Sequence, residues 1–381
     1  MIRVCYVLST SEKSGGANKS LLDLLRNLDR EKIKPYALLR RHGDIEEELR
    51  ELDVSYYIIP YINSVTTGNS LKDCTKKMTY YLSLPKIKKY YFQNKIDIVH
   101  NNSLPALAGM EAANRLGIPY ICHIREDVEN GLGVGFLNKK KHLRIANEAA
   151  RKIVISQFVK NAYLDEITDT EVIYDGMDTS VYFEEKNILE GDFIVASMYG
   201  NLDEQKGQLI AVKALEVLHE RGIYSVHLNI VGNQHTEYAE KVKKYVESHA
   251  IKDVQLIDTI SDPNELREHR KKDDINIICS SAEGLGRVTI ESMLAGCLTI
   301  GANAGATMEI IQEGSTGLLF EEGNIDGLAN ILASVSVEKE PFRKIALQGQ
   351  AYALRIFDIK KYVDEIEIEY RKALKNELVE Q

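Results

Sequence analysis

Short apolar runs alternate along this chain with amphipathic stretches of helical periodicity, and this alternation restricts the fold more than any other feature. Helical periodicity is clearest at Ala17–Leu28, Leu104–Arg115, Gln208–Arg221 and Tyr238–His249. Strands that alternate with helices predict parallel sheets of the doubly wound α/β class. The runs with strand character are Val4–Leu8, Tyr36–Leu39, Tyr56–Ile59, Ile96–His100, Tyr120–His123, Lys152–Ile155, Glu171–Ile173, Ile194–Tyr199, His227–Val231, Val254–Ile257, Ile275–Cys279, Leu298–Gly301 and Gly317–Phe320.

The alternation starts afresh near residue 180, which predicts two Rossmann-like domains facing each other across a cleft. A chain of 381 residues can bury two cores of this size. We expect an N-terminal domain over 1–180, a C-terminal domain over 181–355, a linker at Asp175–Asn187, and a charged C-terminal helix over 356–381. Ligands of doubly wound sheets lie at the carboxyl ends of strands, so we expect the site in the cleft.

Charge and cysteine content narrow the cellular setting. The net charge is −9, and residues 1–180 carry 26 Lys and Arg against 23 Asp and Glu, so the acidity belongs to the second half. An acidic chain argues against a nucleic-acid partner. The five cysteines form no C-x-x-C pair, and no apolar run approaches about 20 residues, the length of a membrane span. We therefore expect a cytoplasmic protein with reduced thiols.

The segment Cys279–Phe320 carries the strongest chemical signal. A predicted strand enters a glycine-rich turn, a helix starts near Arg287, and the carboxylates of Glu283 and Glu291 stand eight positions apart around that turn. Backbone N–H groups at such a helix N-terminus bind phosphate. A diphosphate between two hydroxyl-binding carboxylates describes a nucleotide sugar, which is the ligand that we expect here.

Weaker candidates follow other predicted strands. Gly15 and Gly16, after the first strand, permit close approach of an anion or sugar, although a plain turn explains them equally well. Lys206 follows the first strand of the second half, where its ammonium can pair with a diphosphate; a solvated surface lysine is the alternative. Gly232 ends a strand at a turn that could accept a flat base, as many α/β turns could.

Two histidines, His100 and His123, occupy strand ends in the first half, where a side chain can face the cleft. A histidine satisfied within a turn network is an equal alternative for His123 and the favoured one for His100. No D-x-D, H-E-x-x-H or zinc-type spacing occurs, so we expect no metal and no other cofactor. Helix dipole, backbone N–H groups and cations would then neutralise a diphosphate.

Basic clusters with interleaved aromatic residues mark the first half. Such helices can bind the surface of an anionic membrane, and a solvated helix face is the alternative. We expect peripheral binding at the inner face of the cell membrane. The clusters comprise Lys72, Lys76, Lys77, Tyr80, Tyr81, Lys86, Lys88, Lys89, Tyr90, Tyr91 and Phe92, and then Lys139, Lys140, Lys141, His142 and Arg144.

The sequence AEGLGRVTIESMLAG, with Glu283 and Glu291, resembles the donor-binding signature of the retaining GT-B glycosyltransferases of family 4 (group 1). Weaker similarities extend over nearly the whole chain: SGGAN to the N-terminal glycine-rich loop, IVISQF to the strand-then-serine segment, VIYDGMD to the domain-linking segment, KGQ to the lysine–glycine motif, and FDIKKYVDEIEIEYRKAL to the helix that crosses back to the first domain. The resemblance implies a GT-B fold.

The resemblance also implies roles for particular residues. Glu291 would bind the ribose hydroxyls, Glu283 the donor sugar near the reacting carbon, and Lys206 the diphosphate, while His123 and Gly16 would approach the donor from the other domain. The backbone N–H groups expected to cradle the diphosphate belong to Leu285, Gly286, Arg287 and Val288.

One position departs from the family pattern. Where the family usually carries arginine before the lysine motif, this chain has Asn201. The substitution removes one cation from the expected phosphate pocket and indicates either an altered donor site or compensation. Our hypothesis is that Arg287 supplies the missing charge.

These observations favour a retaining, metal-independent hexosyltransferase of bacterial surface-polysaccharide assembly, such as capsule. It would move a sugar from a nucleotide diphosphate donor, for which we expect a UDP-sugar, to a hydroxyl of a glycan or lipid-linked glycan. Two alternatives stay open. A nucleotide-sugar 2-epimerase on the same fold would need no acceptor. A non-catalytic partner subunit is favoured by Asn201 and disfavoured by Glu283, Lys206, Glu291 and His123.

Overall fold

In the computed structural model, which describes residues 1–376, the chain divides into two compact units. Unit 1 comprises Met1–Met177 and the segment that begins at Ile359, and unit 2 comprises Asp178–Asp358. The sequence-based boundaries, 180 and 355, fall within three residues of these divisions. Residues 377–381 of the expected C-terminal helix lie outside the described part of the chain.

Unit 1 is built on a seven-stranded sheet in the order β3-β2-β1-β4-β5-β6-β7, and all neighbouring strands pair in parallel. This order places the first strand beside the fourth, as in a doubly wound Rossmann sheet. The strands are β1 (Ile2–Val7), β2 (Ile33–Leu39), β3 (Ser55–Ile58), β4 (Ile98–Asn101), β5 (Tyr120–Ile124), β6 (Arg151–Val154) and β7 (Thr170–Val172).

Helices connect these strands, as parallel pairing requires. The longest connecting helix, α3, contains Pro85 and is capped at its N-terminus by the side chain of Asn69, which accepts hydrogen bonds from two backbone N–H groups. The helices of unit 1 are α1 (Gly16–Asn27), α2 (Ile45–Glu51), α3 (Ser70–Gln93), α4 (Leu107–Asn114), α5 (Lys139–Asn147) and α6 (Gln157–Ala162).

Unit 2 repeats the same topology with a six-stranded parallel sheet in the order β10-β9-β8-β11-β12-β13. Its helices are α7 (Thr179–Tyr182), α8 (Gln208–Glu220), α9 (Glu237–Ser248), α10 (Pro263–Arg270), α11 (Arg287–Leu294), α12 (Thr307–Ile310), α13 (Ile325–Val337) and α14 (Glu340–Ile356). The strands are β8 (Ile194–Tyr199), β9 (Val226–Val231), β10 (Val254–Ile257), β11 (Ile275–Ile278), β12 (Leu298–Ala302) and β13 (Leu318–Phe320).

The last helix, α15 (Ile359–Asn376), belongs to unit 1 although it follows unit 2 in sequence. Its apolar residues are buried in the same core cluster as the first strand and helix of the chain, and α15 packs against α1. Unit 1 therefore depends on both ends of the chain. The buried residues of α15 in this cluster are Ile359, Tyr362, Val363, Ile366 and Tyr370.

The expected linker, Asp175–Asn187, is more structured than its polar sequence suggests. Asp175 and Met177 are fully or almost fully buried, and α7 forms within the segment. Asp175 accepts two hydrogen bonds from Arg125, which ties the end of unit 1 to its own sheet. Within this segment, unit 2 begins at the residue after Met177.

Candidate active site

A recess in unit 2 lies where the strand order changes direction, between the carboxyl ends of β8 and β11. The connections that leave these neighbouring strands run to opposite sides of the sheet, so a gap opens between them, and ligands of open α/β sheets bind in such gaps. The recess is lined by residues at both strand ends and by the turns that follow, among them Tyr199, Lys206, Cys279, Glu283, Gly286 and Thr289.

Lys206 and Glu283 meet in this recess, where the lysine ammonium donates a hydrogen bond to the Glu283 carboxylate. Both side chains keep solvent access, at 32% and 17% relative exposure. Lys206 is held by a 3₁₀ turn over Glu204–Lys206, in which the carboxylate of Asp203 accepts a hydrogen bond from the Lys206 N–H at 2.9 Å. Because both groups are accessible, the ammonium can bind a phosphate in place of the carboxylate, and the carboxylate can bind a hydroxyl group in place of the ammonium.

The turn before α11 shapes the other wall of the recess. Gly286 adopts φ +85°, a left-handed conformation that favours glycine, and it immediately precedes the helix. No side chain caps this N-terminus, so the positive end of the helix dipole is left for an anion. Val288 also lines the recess, whereas Leu285 is buried beneath the turn.

Glu291 has a different environment from Glu283. It is 94% buried, and Arg270 at the end of α10 donates a hydrogen bond to its Oε2 at 2.6 Å. Arg287 lies one helical turn before Glu291, with its Nε 3.9 Å from Oε1. The guanidinium of Arg270 also stacks 4.7 Å from the ring centroid of Tyr199. Glu291 is therefore the centre of a charge-compensated cluster, and neither Glu291 nor Arg287 is among the residues that line the recess.

Sequence reasoning missed Arg270, which is itself 95% buried. No local sequence pattern distinguishes Arg270, because it lies among basic residues at a helix end that is otherwise exposed. It contacts Glu291 only because the fold brings their two helices together. The hypothesis that Arg287 replaces a cation at the phosphate pocket stays a prediction: its Nε lies 3.9 Å from Oε1 of Glu291, and its side chain is not among those that line the recess. Asn201 is exposed, and its backbone oxygen accepts a hydrogen bond from Gln208 at 2.9 Å.

The remaining sequence candidates of the two units occupy strand or helix ends. Gly232 follows β9, is buried, and donates its N–H to the Ile257 carbonyl at 3.0 Å. In unit 1, Gly15 is the N-cap residue of α1 and Gly16 is the first residue of the helix. Both are exposed, and the N-terminus of α1 has no side-chain capping hydrogen bond. The carboxyl end of β1 thus carries a second uncapped helix N-terminus.

His123 lies at the carboxyl end of β5 and is completely buried, in contact with His100 on β4 at 3.0 Å between Nδ1 and Nε2. Burial and the neighbouring charge of Arg125 lower the pKa of His100 to about 3 and that of His123 well below its usual range. Both imidazoles are therefore neutral at physiological pH. The alternative reading, a histidine satisfied in a hydrogen-bonded network, fits both ring nitrogens of His100 but only Nδ1 of His123.

Arg125 and Asp175 form a buried ion pair beside these histidines, with 2.7 Å between Nη1 and each carboxylate oxygen. Asp175 also accepts a hydrogen bond from the Ser20 hydroxyl on α1 at 2.6 Å. Neither residue was a sequence candidate, because Arg125 follows its strand without a motif and Asp175 fell in the expected linker.

Neither a metal site nor a membrane span is found in the part of the chain that the structure describes. Within residues 1–376, no three or more His, Cys, Asp and Glu side chains are grouped so as to hold a metal ion. No helix in the same residues is both long enough and apolar enough to cross a bilayer.

Comparison with known proteins gives the family. The chain matches the family model for glycosyltransferase family 4 over residues 14–181 and that for glycosyl transferases group 1 over residues 180–350. An uncharacterized glycosyltransferase of Methanocaldococcus jannaschii is 21% identical over 340 residues, which cover 86% of this chain and 92% of the relative.

Solved structures show the same fold. HepE of Anabaena superposes with a TM-score of 0.79 at 21% identity, over 97% of this chain and all of that one. A glycosyltransferase of Rickettsia africae gives a TM-score of 0.81 at 20% identity, over 98% and 99% of the two chains. The expected GT-B fold class, with two Rossmann-like sheets, is thereby confirmed. The two family models adjoin near residue 180 and together span most of the sequence, so the chain belongs to the group 1 glycosyltransferases of family 4.

Proposed function

We propose that this glycosyltransferase moves a hexose, with retention of anomeric configuration, from a UDP-sugar to a hydroxyl of a glycan or lipid-linked glycan in surface-polysaccharide assembly. The observation that carries the proposal is the accessible Lys206–Glu283 pair beside the uncapped N-terminus of α11. The choice of UDP is supported by the fold's likeness to HepE, which has been determined in complex with UDP and glucose.

Each element of the site has a task in this proposal. The N-terminal amides of the 285–288 turn and the Lys206 ammonium would bind the diphosphate, and their positive charge would stabilise it as it leaves. Glu283, released from Lys206, would accept hydrogen bonds from sugar hydroxyls. Glu291 would bind the ribose hydroxyls, as the resemblance to the family implies, with its Oε2 held by Arg270. These groups supply the charge compensation that a metal would otherwise give, so the proposal includes no metal and no other cofactor.

Unit 1 would hold the acceptor in the same proposal. Doubly wound sheets bind ligands at the carboxyl ends of their strands, and β1, β4 and β5 end at the same edge of the unit 1 sheet. We infer that the departing phosphate oxygen accepts the acceptor proton and that attack occurs on the face of the sugar that the phosphate leaves. Retention follows from this front-face attack.

Binding and turnover test the donor site. We expect UDP-sugars, screened with GDP- and dTDP-sugars, to raise the melting temperature, since a ligand at 100 times its Kd adds about 2.7 kcal/mol. Lys206→Ala and Glu283→Gln should each lower kcat/KM by roughly 100-fold, because each removes a charge at the reacting diphosphate or sugar. Lys244→Ala, at an exposed lysine of the same unit, should leave turnover unchanged. Equal effects of all three variants would refute the site.

Product analysis separates the proposal from its rivals. NMR of the reaction should show the transferred sugar with the anomeric configuration of the donor and only in the presence of an acceptor. Epimerised sugar formed from donor alone would establish the 2-epimerase instead. Absence of both binding and turnover with every nucleotide sugar of the panel would favour a non-catalytic partner subunit.

We further propose that the outward face of α3 binds the cytoplasmic face of an anionic membrane. Leu71, Met78, Leu82 and Phe92 recur at seven-, four- and ten-residue steps, which place them on one side of the helix, and they are 61–79% exposed. Exposed lysines border this stripe on both sides and one of them, Lys89, lies within it; α3 contains one acidic residue, Asp73. An apolar stripe bordered by lysines is typical of helices that lie in a lipid interface. The lysines are Lys72, Lys77, Lys86 and Lys89, with the half-exposed Lys88 beside them.

The second basic cluster contributes less to this surface. Lys139 pairs with Glu129 and Glu166, and Lys141 pairs with Glu111, so much of the charge of α5 is compensated within the unit. The proposal therefore assigns membrane contact to α3.

Vesicle flotation tests this surface. The protein should float with vesicles that contain phosphatidylserine or phosphatidylglycerol and less with purely zwitterionic vesicles. Lys77→Glu with Lys86→Glu should lower the binding at least tenfold, since each lysine near the surface is worth about 1 kcal/mol. Lys243→Glu with Lys244→Glu, the same charge change on α9, is the matched control. If both double variants float alike, the assignment to α3 is wrong.

A further inference from the structure

Two helices of unit 2, α8 and α11, begin at the recess without a side-chain cap. Each follows a glycine in the left-handed conformation, Gly207 with φ +66° and Gly286 with φ +85°. A Cβ atom at Gly207 would stand 2.8 Å from the Cys279 carbonyl oxygen, so the two turns lie close together. The first turns of both helices line the recess, α8 through Gln208 and α11 through Thr289.

Each of these first turns buries a polar atom that has no hydrogen-bond partner. Thr289 is 0% exposed and Gln208 is 2% exposed. Oγ1 of Thr289 and Oε1 of Gln208 have no partner among the described residues. The Nε2 of Gln208 donates to the Asn201 carbonyl at 2.9 Å, so only its oxygen is left unsatisfied. Burial of a polar atom without a partner destabilises a fold, so two such atoms beside a recess indicate a ligand.

The two atoms differ in the groups that they can bind. An amide oxygen only accepts hydrogen bonds, whereas a hydroxyl group both donates and accepts. The oxygens of an ionised diphosphate are acceptors, and the donor group of Gln208 is already engaged. Of the two side chains, Thr289 is therefore the one that can contact a phosphate directly.

The position of Thr289 in α11 places its hydroxyl at the N-terminal end of the helix. Thr289 is the third helical residue, and its Oγ1 lies 3.1 Å from the site of a Cβ atom at Gly286, the residue before the helix. A threonine hydroxyl inside a helix ordinarily donates to a backbone carbonyl of the preceding turn, but no carbonyl of the described residues accepts from this one. The hydroxyl thus lies beside the backbone N–H groups that attract an anion.

We propose that the Thr289 hydroxyl donates a hydrogen bond to a phosphate oxygen of the nucleotide diphosphate at the N-terminus of α11. Lys206 lines the same recess and would supply charge, while Thr289 would supply a directed donor. The inference rests on the proposed function for the nucleotide, but recognition of phosphate does not require sugar transfer. Because the unligated protein buries this hydroxyl without a partner, its removal should stabilise the unligated fold and weaken phosphate binding at once.

Thr289→Val tests this pair of opposite effects, since it replaces the hydroxyl by a methyl group of similar size. Calorimetric titrations use UDP and inorganic pyrophosphate as the probes. Thr289→Val should raise the Kd of both about tenfold, because a hydrogen bond to a charged group is lost. Its melting temperature without ligand should rise. Thr289→Ser keeps the hydroxyl and should restore the Kd of the unaltered protein.

Thr307→Val is the matched control. Thr307 is also 0% exposed, and its hydroxyl has no partner among the described residues. It is the first residue of α12 in the same unit, but it is not among the residues that line the recess. Thr307→Val should therefore raise the melting temperature to a similar extent and leave the Kd of both probes unchanged.

Three results would overturn the inference. They are an unchanged Kd in Thr289→Val, a lower melting temperature of that variant without ligand, and failure of the unaltered protein to bind either probe. Binding that depends on the Thr289 hydroxyl in a protein that transfers no sugar would support the inference and refute the proposed function. Sugar transfer by a Thr289→Val variant of full UDP affinity would support the proposed function and refute the inference.

Discussion

At the scale of single residues, both units bury ionisable groups. In unit 1, His123 lies near the end of β5, and Arg125 and Asp175 follow strands; in unit 2, Arg270 and Glu291 lie on α10 and α11. Burial of a charge is costly unless it is paired, so such groups mark places where a fold maintains polar chemistry at the expense of stability. Glu126, the residue after Arg125, shows this cost most directly.

Glu126 should make unit 1 less stable as pH rises. Burial raises the pKa of Glu126 to about 7, against the opposing effects of the Ser103 hydroxyl, Arg125 and the Leu104 N–H. The unfolded chain ionises this carboxyl near its usual pKa of 4.5, so the folded state binds more protons between about pH 4.5 and 7. Its contribution to stability is thus lost as pH rises through that window.

Glu126→Gln removes this dependence and should stabilise the protein by on the order of 1 kcal/mol at pH 8, with no gain at pH 4.5. Urea unfolding at pH 4.5, 6 and 8 measures the difference. Glu31→Gln, at an exposed carboxylate of the same unit, should keep the profile of the unaltered protein. Parallel profiles for Glu126→Gln and the unaltered protein would contradict the prediction.

At the scale of elements, the turn that carries Glu283 depends on the segment after β12. The Ala306 N–H donates to the Glu283 carbonyl at 2.8 Å, and Gly305 adopts φ +56° beside it. A Cβ atom at Gly305 would stand 2.6 Å from the Glu283 backbone nitrogen, closer than any side chain can approach. The glycine is therefore required by the neighbouring turn as well as by its own φ.

Gly305→Ala should destabilise unit 2 by about 2–4 kcal/mol and weaken donor binding, because the Glu283 backbone must move. Gly314→Ala is the control: its φ is +68°, but no atom lies within 4 Å of the added Cβ. It should cost only about 1 kcal/mol. Calorimetry and a nucleotide-sugar titration of both variants measure the difference, and equal losses of donor binding would show that the contact with Glu283 is unimportant.

Sequence reasoning predicted these elements well wherever an apolar run was bounded by turns. The strands Ile194–Tyr199 and Val254–Ile257 have the predicted bounds, and every other predicted strand has a counterpart within a few residues. α1 and α8 likewise begin within one residue of the expected start. The short α7 went unpredicted because four residues cannot show a helical period.

The contacts within the site were predictable only in part. Lys206 and Glu283 could be placed together because both follow strands that end at one edge of a parallel sheet. Arg270 and Glu291, or Tyr370 and His100, meet through packing of helices on that sheet, for which single-sequence patterns carry no register. The sequence shows each member of such a pair only as one polar or charged residue among many. It does not show which residue will be its buried partner.

At the scale of the whole molecule, two units of the same topology are formed from three chain segments. Unit 2 is continuous from Asp178 to Asp358, whereas unit 1 requires α15 after unit 2 is complete. The repeated strand pattern predicted the two sheets, and the resemblance to family 4 implied the returning helix. Because α15 completes the core and also supplies Tyr370, its loss should affect the two units unequally.

Ending the chain at Asp358 should unfold unit 1 and spare unit 2. The deletion removes Tyr362, Ile366, Tyr370 and two further buried apolar residues from one core. At about 1.5–3 kcal/mol each, their burial is comparable with the whole stability of a typical domain, about 5–15 kcal/mol. Hydrogen exchange should therefore show full loss of protection in peptides from 1–177, while peptides from 178–358 serve as the control within the same sample and keep theirs. Ile366→Ala should weaken unit 1 alone by about 2–4 kcal/mol, and protection that falls equally in both units would show that they do not unfold as separate bodies.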